Sequence, residues 1–397
     1  MKLSYLLCIA AVAILAVSCY LGPPNEDYHG YEDVSSYNEL QSAVSKGKNV
    51  RLSNDISAVD LGYEGALFIN SNITIDLNGK KLSFVDTGWD SYRDDLPDAD
   101  NPDFYPSGSV VISPGAVLSI IGNNGCIESD FFTGLISNYG TLRVDAAAME
   151  STGRHIFSNH GSITINSGTF ICDDTVFDMC FDSSSLVIND GIFGNNPKTT
   201  VLSTGLNTRN AEITVNGGAF LGLFNLSGFT DMVINGGEFE AENSSFFVNS
   251  GNLRVNGGTF RSLRNIDWSS YDYVPVNTAY RLGLGLEGDI IIEAEDYHSG
   301  NPNVTVTKDA VLSKGVHYYH KSTLKEPLGT VLADDQTLIE VSGLKYMRYV
   351  RYEQNGSTGS VNVYFMTKEK AETFTGIPGS ILESPESIGP VNDYSEQ

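Results

Sequence analysis

Four aspartates, Asp173, Asp174, Asp178 and Asp182, crowd one short stretch of the chain, and His160 stands upstream of them, followed by Gly161. Paired carboxylates a few ångströms apart are what glycoside hydrolysis needs, one as acid and one as base or nucleophile. Asp173, Asp174, Asp178 and His160 are therefore the candidate catalytic set, and the plain alternative is a group of turn and surface residues. A second acidic run, Asp86–Pro106, carries seven aspartates and one base, Arg93, between 86 and 103. Within it Asp98, Asp100 and Asp103 bring carboxylates close together, as oxygen-rich Ca²⁺ loops do. Ca²⁺ is thus the one cofactor the sequence brings into view. The run has neither the glycine nor the closing glutamate of an EF-hand, and its alternative is a solvated acidic loop. Tyr346, Tyr349 and Tyr352, with Arg348 and Arg351, form a third group. Tyrosine and arginine favour interfaces, so these three tyrosines are candidates to bind a sugar or a protein, or to pack on the rest of the fold. No Ser/His/Asp signature, phosphate loop or metalloprotease motif appears.

What must position these groups is written in a repeat. Asn-x-Gly-x-Phe occurs at Asn166, Gly168 and Phe170; at Asn189, Gly191 and Phe193; at Asn216, Gly218 and Phe220; at Asn235, Gly237 and Phe239; and at Asn256, Gly258 and Phe260. Before each asparagine stands a short alternating segment, such as Ile163-Thr-Ile165 or Leu253-Arg-Val255. Alternation of period two is a strand and not a helix. Asn and Gly tolerate left-handed backbone, so each is read here as a corner residue, and Phe as a return to the interior. A unit of this size cannot bury its apolar side alone, but stacked copies share a continuous core. The spacers show no helical period, which argues against a leucine-rich repeat and for a parallel β-helix. These fifteen residues are therefore expected to be structural.

Weaker copies lie upstream, including Asn72-Ile-Thr-Ile-Asp-Leu-Asn78-Gly79 and Gly140-Thr-Leu-Arg-Val144. Before them, Val34–Gly47 has apolar residues at helical spacing and a glycine stop, followed by Asn49-Val-Arg-Leu-Ser-Asn-Asp-Ile56. This helix and strand, with the later Ile73-Thr-Ile-Asp-Leu-Asn-Gly-Lys-Lys-Leu-Ser-Phe84, resemble the cap and first coils of pectin-lyase-like right-handed β-helix proteins. The resemblance covers 34–84 well and the repeats to 266 in general. It implies the fold more firmly than an activity, because that superfamily holds lyases, hydrolases, adhesins and catalytically silent surface proteins. The Asn-Thr-Asp and Arg-Ile-Lys elements of its polygalacturonases are missing, and His160 precedes the aspartates instead of following them. For its lyase chemistry, Arg143, Arg154 and Arg209 are candidate bases by location alone.

The N-terminus reads as a targeting segment: Lys2, then an apolar run, Leu6–Leu15, too short to span a bilayer. It ends in Leu15-Ala-Val-Ser-Cys19, which resembles the lipobox of bacterial lipoproteins. That resemblance implies lipidation of Cys19 and attachment to a membrane. The alternative is an ordinary cleaved signal with a chance cysteine.

Composition sets the remaining bounds. The net charge is −25, which makes nucleic acid and anionic membrane surfaces poor partners. Only 18% of residues are charged and 40 are glycine, which favours a turn-rich all-β chain. Beyond Cys19 there remain Cys126, Cys172 and Cys180, too few for a disulfide framework. Buried thiols are expected, with a Cys172–Cys180 bridge as the alternative.

The expected organisation is a signal peptide at 1–18, a tether at 19–33, a capping helix at 34–48, a right-handed parallel β-helix at 49–266, a small β-rich cap at 267–375 with room for one or two irregular coils, and a disordered tail at 376–397. The expected role is a lipid-anchored protein of the bacterial cell envelope, at the outer membrane or cell surface. It would bind a glycan or a host or cell-surface protein, or serve structurally, without catalysis. The competing reading is a polysaccharide lyase or glycoside hydrolase acting on acidic glycans. A secreted eukaryotic glycoprotein, suggested by sequons such as Asn72-Ile-Thr and Asn303-Val-Thr, would require Cys19 to be incidental.

Overall fold

A computed structural model describes residues 30–59, 66–85, 108–130, 134–179, 181–205, 208–242, 244–263, 274–275, 289–294, 302–313, 316–320, 331–332, 346–351, 361–366 and 392–393. Three parallel sheets, of twelve, ten and ten strands, run side by side along the chain. Within each sheet a strand pairs with the strands one coil before and one coil after it, so successive coils stack. The described residues are all-β apart from one short helix, and they form a parallel β-solenoid consistent with a right-handed β-helix. Right-handed crossover is the rule for parallel strands.

One coil shows the plan. Phe229–Ile234 lies in the first sheet, a turn at Asn235–Gly237 follows, Glu238–Ala241 lies in the second sheet, and Phe246–Val248 lies in the third. In the first sheet Met232 and Ile234 point inward, and their register neighbours Ile213, Val215, Leu253 and Val255 are also buried. In the second sheet Phe170, Phe193, Phe220, Phe239 and Phe260 form a column. Their ring centroids are 4.9, 4.8, 4.7 and 4.7 Å apart and their planes are nearly parallel. In the third sheet Phe157 stacks on Phe177 at 5.0 Å and Phe224 on Phe246 at 4.6 Å. Coil rise equals the strand spacing, ~4.8 Å, which is also a ring-stacking distance, so the same residue type is rewarded in every coil.

The corner differs from its sequence reading in one respect. The repeat asparagines do not adopt left-handed backbone; the glycines two residues on do, with φ of 147° at Gly168 and 107° at Gly258. A side chain at Gly168 would also meet the Ala147 carbonyl oxygen at 2.4 Å from its Cβ. The asparagines instead link coil to coil. Asn189 Nδ2 donates to Asn166 Oδ1 at 3.0 Å, Asn216 to Asn189 at 2.9 Å, Asn235 to Asn216 at 2.9 Å and Asn256 to Asn235 at 2.8 Å. Arg254 Nε occupies the last acceptor, Asn256 Oδ1, at 2.9 Å. A side-chain amide both donates and accepts in one plane, so it can repeat this bond from coil to coil.

The expected helix forms as α1, Tyr37–Ser45. Ser36 caps it, its hydroxyl accepting from the Glu39 N–H, while Glu39 Oε2 accepts from the Ser35 N–H at 2.7 Å. This is a capping box shifted by one residue. Tyr37, Leu40, Ala43 and Val44 are buried, and α1 packs on the first strand of each sheet that the coils provide. It thereby covers apolar side chains that an open coil end would leave in water.

The solenoid does not stop at residue 266. Ile290–Ala294 and Val316–His320 extend the third sheet, Asn303–Val306 and Val331–Leu332 the first, and Ala310–Leu312 the second. Asn303–Val306 keeps the alternation, with Val304 and Val306 buried, but the Asn-x-Gly-x-Phe corner is gone, so the motif ends before the coil does. Asp289, fully buried, ties this continuation to the preceding coil, its Oδ1 accepting from the Ser262 N–H and the Ser313 hydroxyl, each at 2.8 Å. A separate antiparallel sheet joins Val274–Pro275, Val361–Met366, Tyr346–Arg351 and Asn392–Asp393. Among the described residues no helix is long and apolar enough to cross a membrane.

Candidate functional site

The acid and base candidates are divided by the turns of the coil. Gly168–Cys172 is a strand of the second sheet, and Asp173 and Asp174 form the exposed turn that leaves it. There the Asp174 carbonyl accepts from the Thr200 N–H at 3.1 Å, and its carboxylate receives the Thr175 hydroxyl at 3.4 Å. Asp178 closes the next strand, Thr175–Asp178, in the third sheet. Its register neighbours are Ser158 below and Ser203 above, and the row continues to Asn225. Phe157, Phe177, Leu202 and Phe224 fill the neighbouring inward row. Asp178, Ser203 and Asn225 are partly exposed in this row, whereas Ser158 is buried.

The histidine that meets Asp178 is His155, not His160. His155 Nδ1 lies 3.9 Å from Asp178 Oδ2. Burial pushes the His155 pKa below its ordinary value, the nearby Arg154 adds to this, and Asp178 and Asp174 oppose it. The imidazole is thus held neutral at physiological pH. His160 has a different place. Its ring stacks between Tyr139, at 4.3 Å, and Phe181, at 3.2 Å, in a column at the corner leaving the third sheet. Burial lowers its pKa to about 4, with Asp178 opposing. A neutral stacked ring at this corner is a packing group.

A second set of amides, absent from the sequence reading, lies beneath that corner. Asn138 and Asn159 are fully buried; Asn138 Nδ2 donates to Asn159 Oδ1 at 2.7 Å, and Asn159 Nδ2 to the Ser185 carbonyl at 3.0 Å. Of the cysteines in the described residues, Cys126 and Cys172 are free thiols, and burial raises both, Cys126 to about 11; Cys180 lies outside those residues. Cys172 Sγ sits 3.6 Å from the Gly153 carbonyl oxygen. Among the described residues no three His, Cys, Asp or Glu side chains converge as a metal site.

The other candidates are placed more simply. Tyr346 and Tyr349 belong to one strand of the antiparallel sheet, Tyr346–Arg351. Tyr352, the Ca²⁺ candidates Asp98, Asp100 and Asp103, and the lipidation candidate Cys19 lie outside the described residues. His155 escaped the sequence reading because it precedes the repeat motif and its partner is a full coil away. Counting one coil back from Asp178 reaches its neighbourhood only if the length of the intervening turn is known.

Set against protein-family models, curated proteins and solved structures, the chain matches none.

Proposed function

We propose that this chain is a lipid-anchored protein of the bacterial cell envelope, built like the pectin-lyase-like β-helices, whose outer third sheet binds an extended ligand without turning it over. The observation that carries the binding reading is the row Asp178, Ser203 and Asn225, one polar, half-exposed side chain per coil on one face. A row at ~4.8 Å intervals offers repeated hydrogen-bonding positions to a linear partner. The non-catalytic reading draws on the separation of the candidates: Asp173 and Asp174 occupy a turn, His160 is held in an aromatic stack, and Asp178 is left with a neutral histidine. The anchor rests on Cys19 and the apolar run before it.

Two experiments test the proposal. Metabolic labelling with a palmitate analogue should mark the wild-type protein expressed in a bacterium and not Cys19→Ala; equal labelling would remove the anchor. Incubation with glycans should give retention without new reducing or unsaturated ends. The lyase or hydrolase reading draws on the closeness of His155 to Asp178, and it requires such ends to appear and to vanish in Asp178→Asn.

A further inference from the structure

The His155–Asp178 pair is unfinished. At 3.9 Å the two groups are too far apart for a direct hydrogen bond. His155 is only 8% exposed, yet its ring makes no hydrogen bond among the described residues. The His155 ring nitrogens are not among the fully buried atoms that lack a partner, so they stay within reach of the surface, and one oxygen placed beside the line joining the two polar atoms can hydrogen-bond to both at ~2.8 Å. We infer that this pair, with the outer row Asp178, Ser203 and Asn225, is a site for an uncharged, hydroxyl-rich chain, a neutral glycan, one of whose hydroxyls bridges His155 and Asp178 from the side. This rests on the binding reading above and gives it a ligand class.

The chemistry selects a hydroxyl. A neutral imidazole with its hydrogen on Nδ1 donates, and a carboxylate only accepts. One O–H group satisfies both, accepting from His155 and donating to Asp178. A ligand carboxylate could not donate and would face Asp178 directly. The turns bordering the row reinforce this: Asp173 and Asp174 precede the Asp178 strand and Asp182 follows it. Of the bases in the adjoining turns, Lys198 is paired with Glu242 at 3.6 Å, which leaves Arg154 and Arg209. A polyuronate would bring one negative charge per sugar to a surface already negative. Along the row, Ser203 and Asn225 supply groups that donate and accept without charge. One sugar residue is about as long as one coil rise (~4.8 Å), so successive sugars meet successive coils.

The test is native affinity electrophoresis of the full chain in gels that contain a soluble β-glucan or galactomannan. Parallel gels contain polygalacturonate or alginate, with and without Ca²⁺. The wild type should be retarded by at least one neutral polymer and by neither uronate. Asp178→Asn, which keeps the shape and removes the charge, and Asn225→Ala, two coils away, should each weaken that retardation about tenfold, as expected for loss of one hydrogen bond to a charged or well-placed group. Equal circular dichroism spectra for the variants and wild type show that folding is intact. Stronger retardation by a uronate would overturn the ligand class and leave the binding reading standing. Neutral binding unchanged in both variants would overturn the site. Retardation by none of the polymers would overturn this inference together with glycan binding.

Discussion

Asn235 hands one amide hydrogen to Asn216 and receives one from Asn256, at 2.9 and 2.8 Å. Each interior asparagine of the ladder makes both bonds, and this bivalence explains why the residue recurs where the backbone alone does not demand it. Asn216→Ala should therefore remove two inter-coil bonds and cost about 1–3 kcal/mol. Asn166→Ala, at the ladder's start, removes one and should cost less. Urea unfolding of both variants checks the order; equal losses would mean the ladder adds nothing beyond its corner.

The phenylalanine column makes a larger claim. Phe220 is buried between Phe193 and Phe239, with ring centroids 4.8 and 4.7 Å away. Phe220→Ala should cost about 3–5 kcal/mol, because neighbouring coils cannot close a gap fixed by strand spacing. Calorimetry should show a lowered Tm, and Phe220→Leu should lose less.

The glycine two residues after each asparagine is not replaceable. Gly168 has φ of 147°, and a Cβ there would sit 2.4 Å from the Ala147 carbonyl oxygen. Gly168→Ala should cost more than about 1 kcal/mol, reversing the usual gain from replacing glycine. A more stable alanine variant, measured by urea unfolding, would show that the corner relaxes freely.

Acid should weaken the fold through His160. Burial between Tyr139 and Phe181 lowers its pKa from 6.5 to about 4 in the folded chain. The unfolded chain therefore binds this proton more readily than the folded one. The resulting stability is fully present above the unfolded value and is lost as pH falls from about 6.5 towards 4. His155 acts in the same direction. His160→Phe keeps a stacked ring and should flatten the fall of Tm over this window; an unchanged slope would assign the acid sensitivity elsewhere.

The scaffold was readable because its rules are local and repeated. Five copies of one corner, each after an alternating strand, state a parallel coil. Even there the sequence points to turn geometry for Asn166 and its successors, whereas their role is hydrogen bonding between coils. That distinction needs register, which one strand does not carry. The candidate site was readable only in part. Asp178 was visible as one of a cluster, but His160 drew the pairing that belongs to His155. The reason is physical: a solenoid brings together residues one coil apart, and the coil length varies wherever a turn is enlarged. Past residue 266 the sequence offers no more than one or two irregular coils, because the strands there still pair in parallel register while the repeated corner is lost.

The most direct test of the whole account joins binding to turnover in one reaction. The full chain is incubated with a neutral β-glucan, a galactomannan and polygalacturonate, and bound polymer and new chain ends are measured together. The account predicts a neutral polymer held by wild type and released by Asp178→Asn, with no new reducing or unsaturated ends. New ends that appear with wild type and disappear in Asp178→Asn would contradict it and make the third sheet an active site.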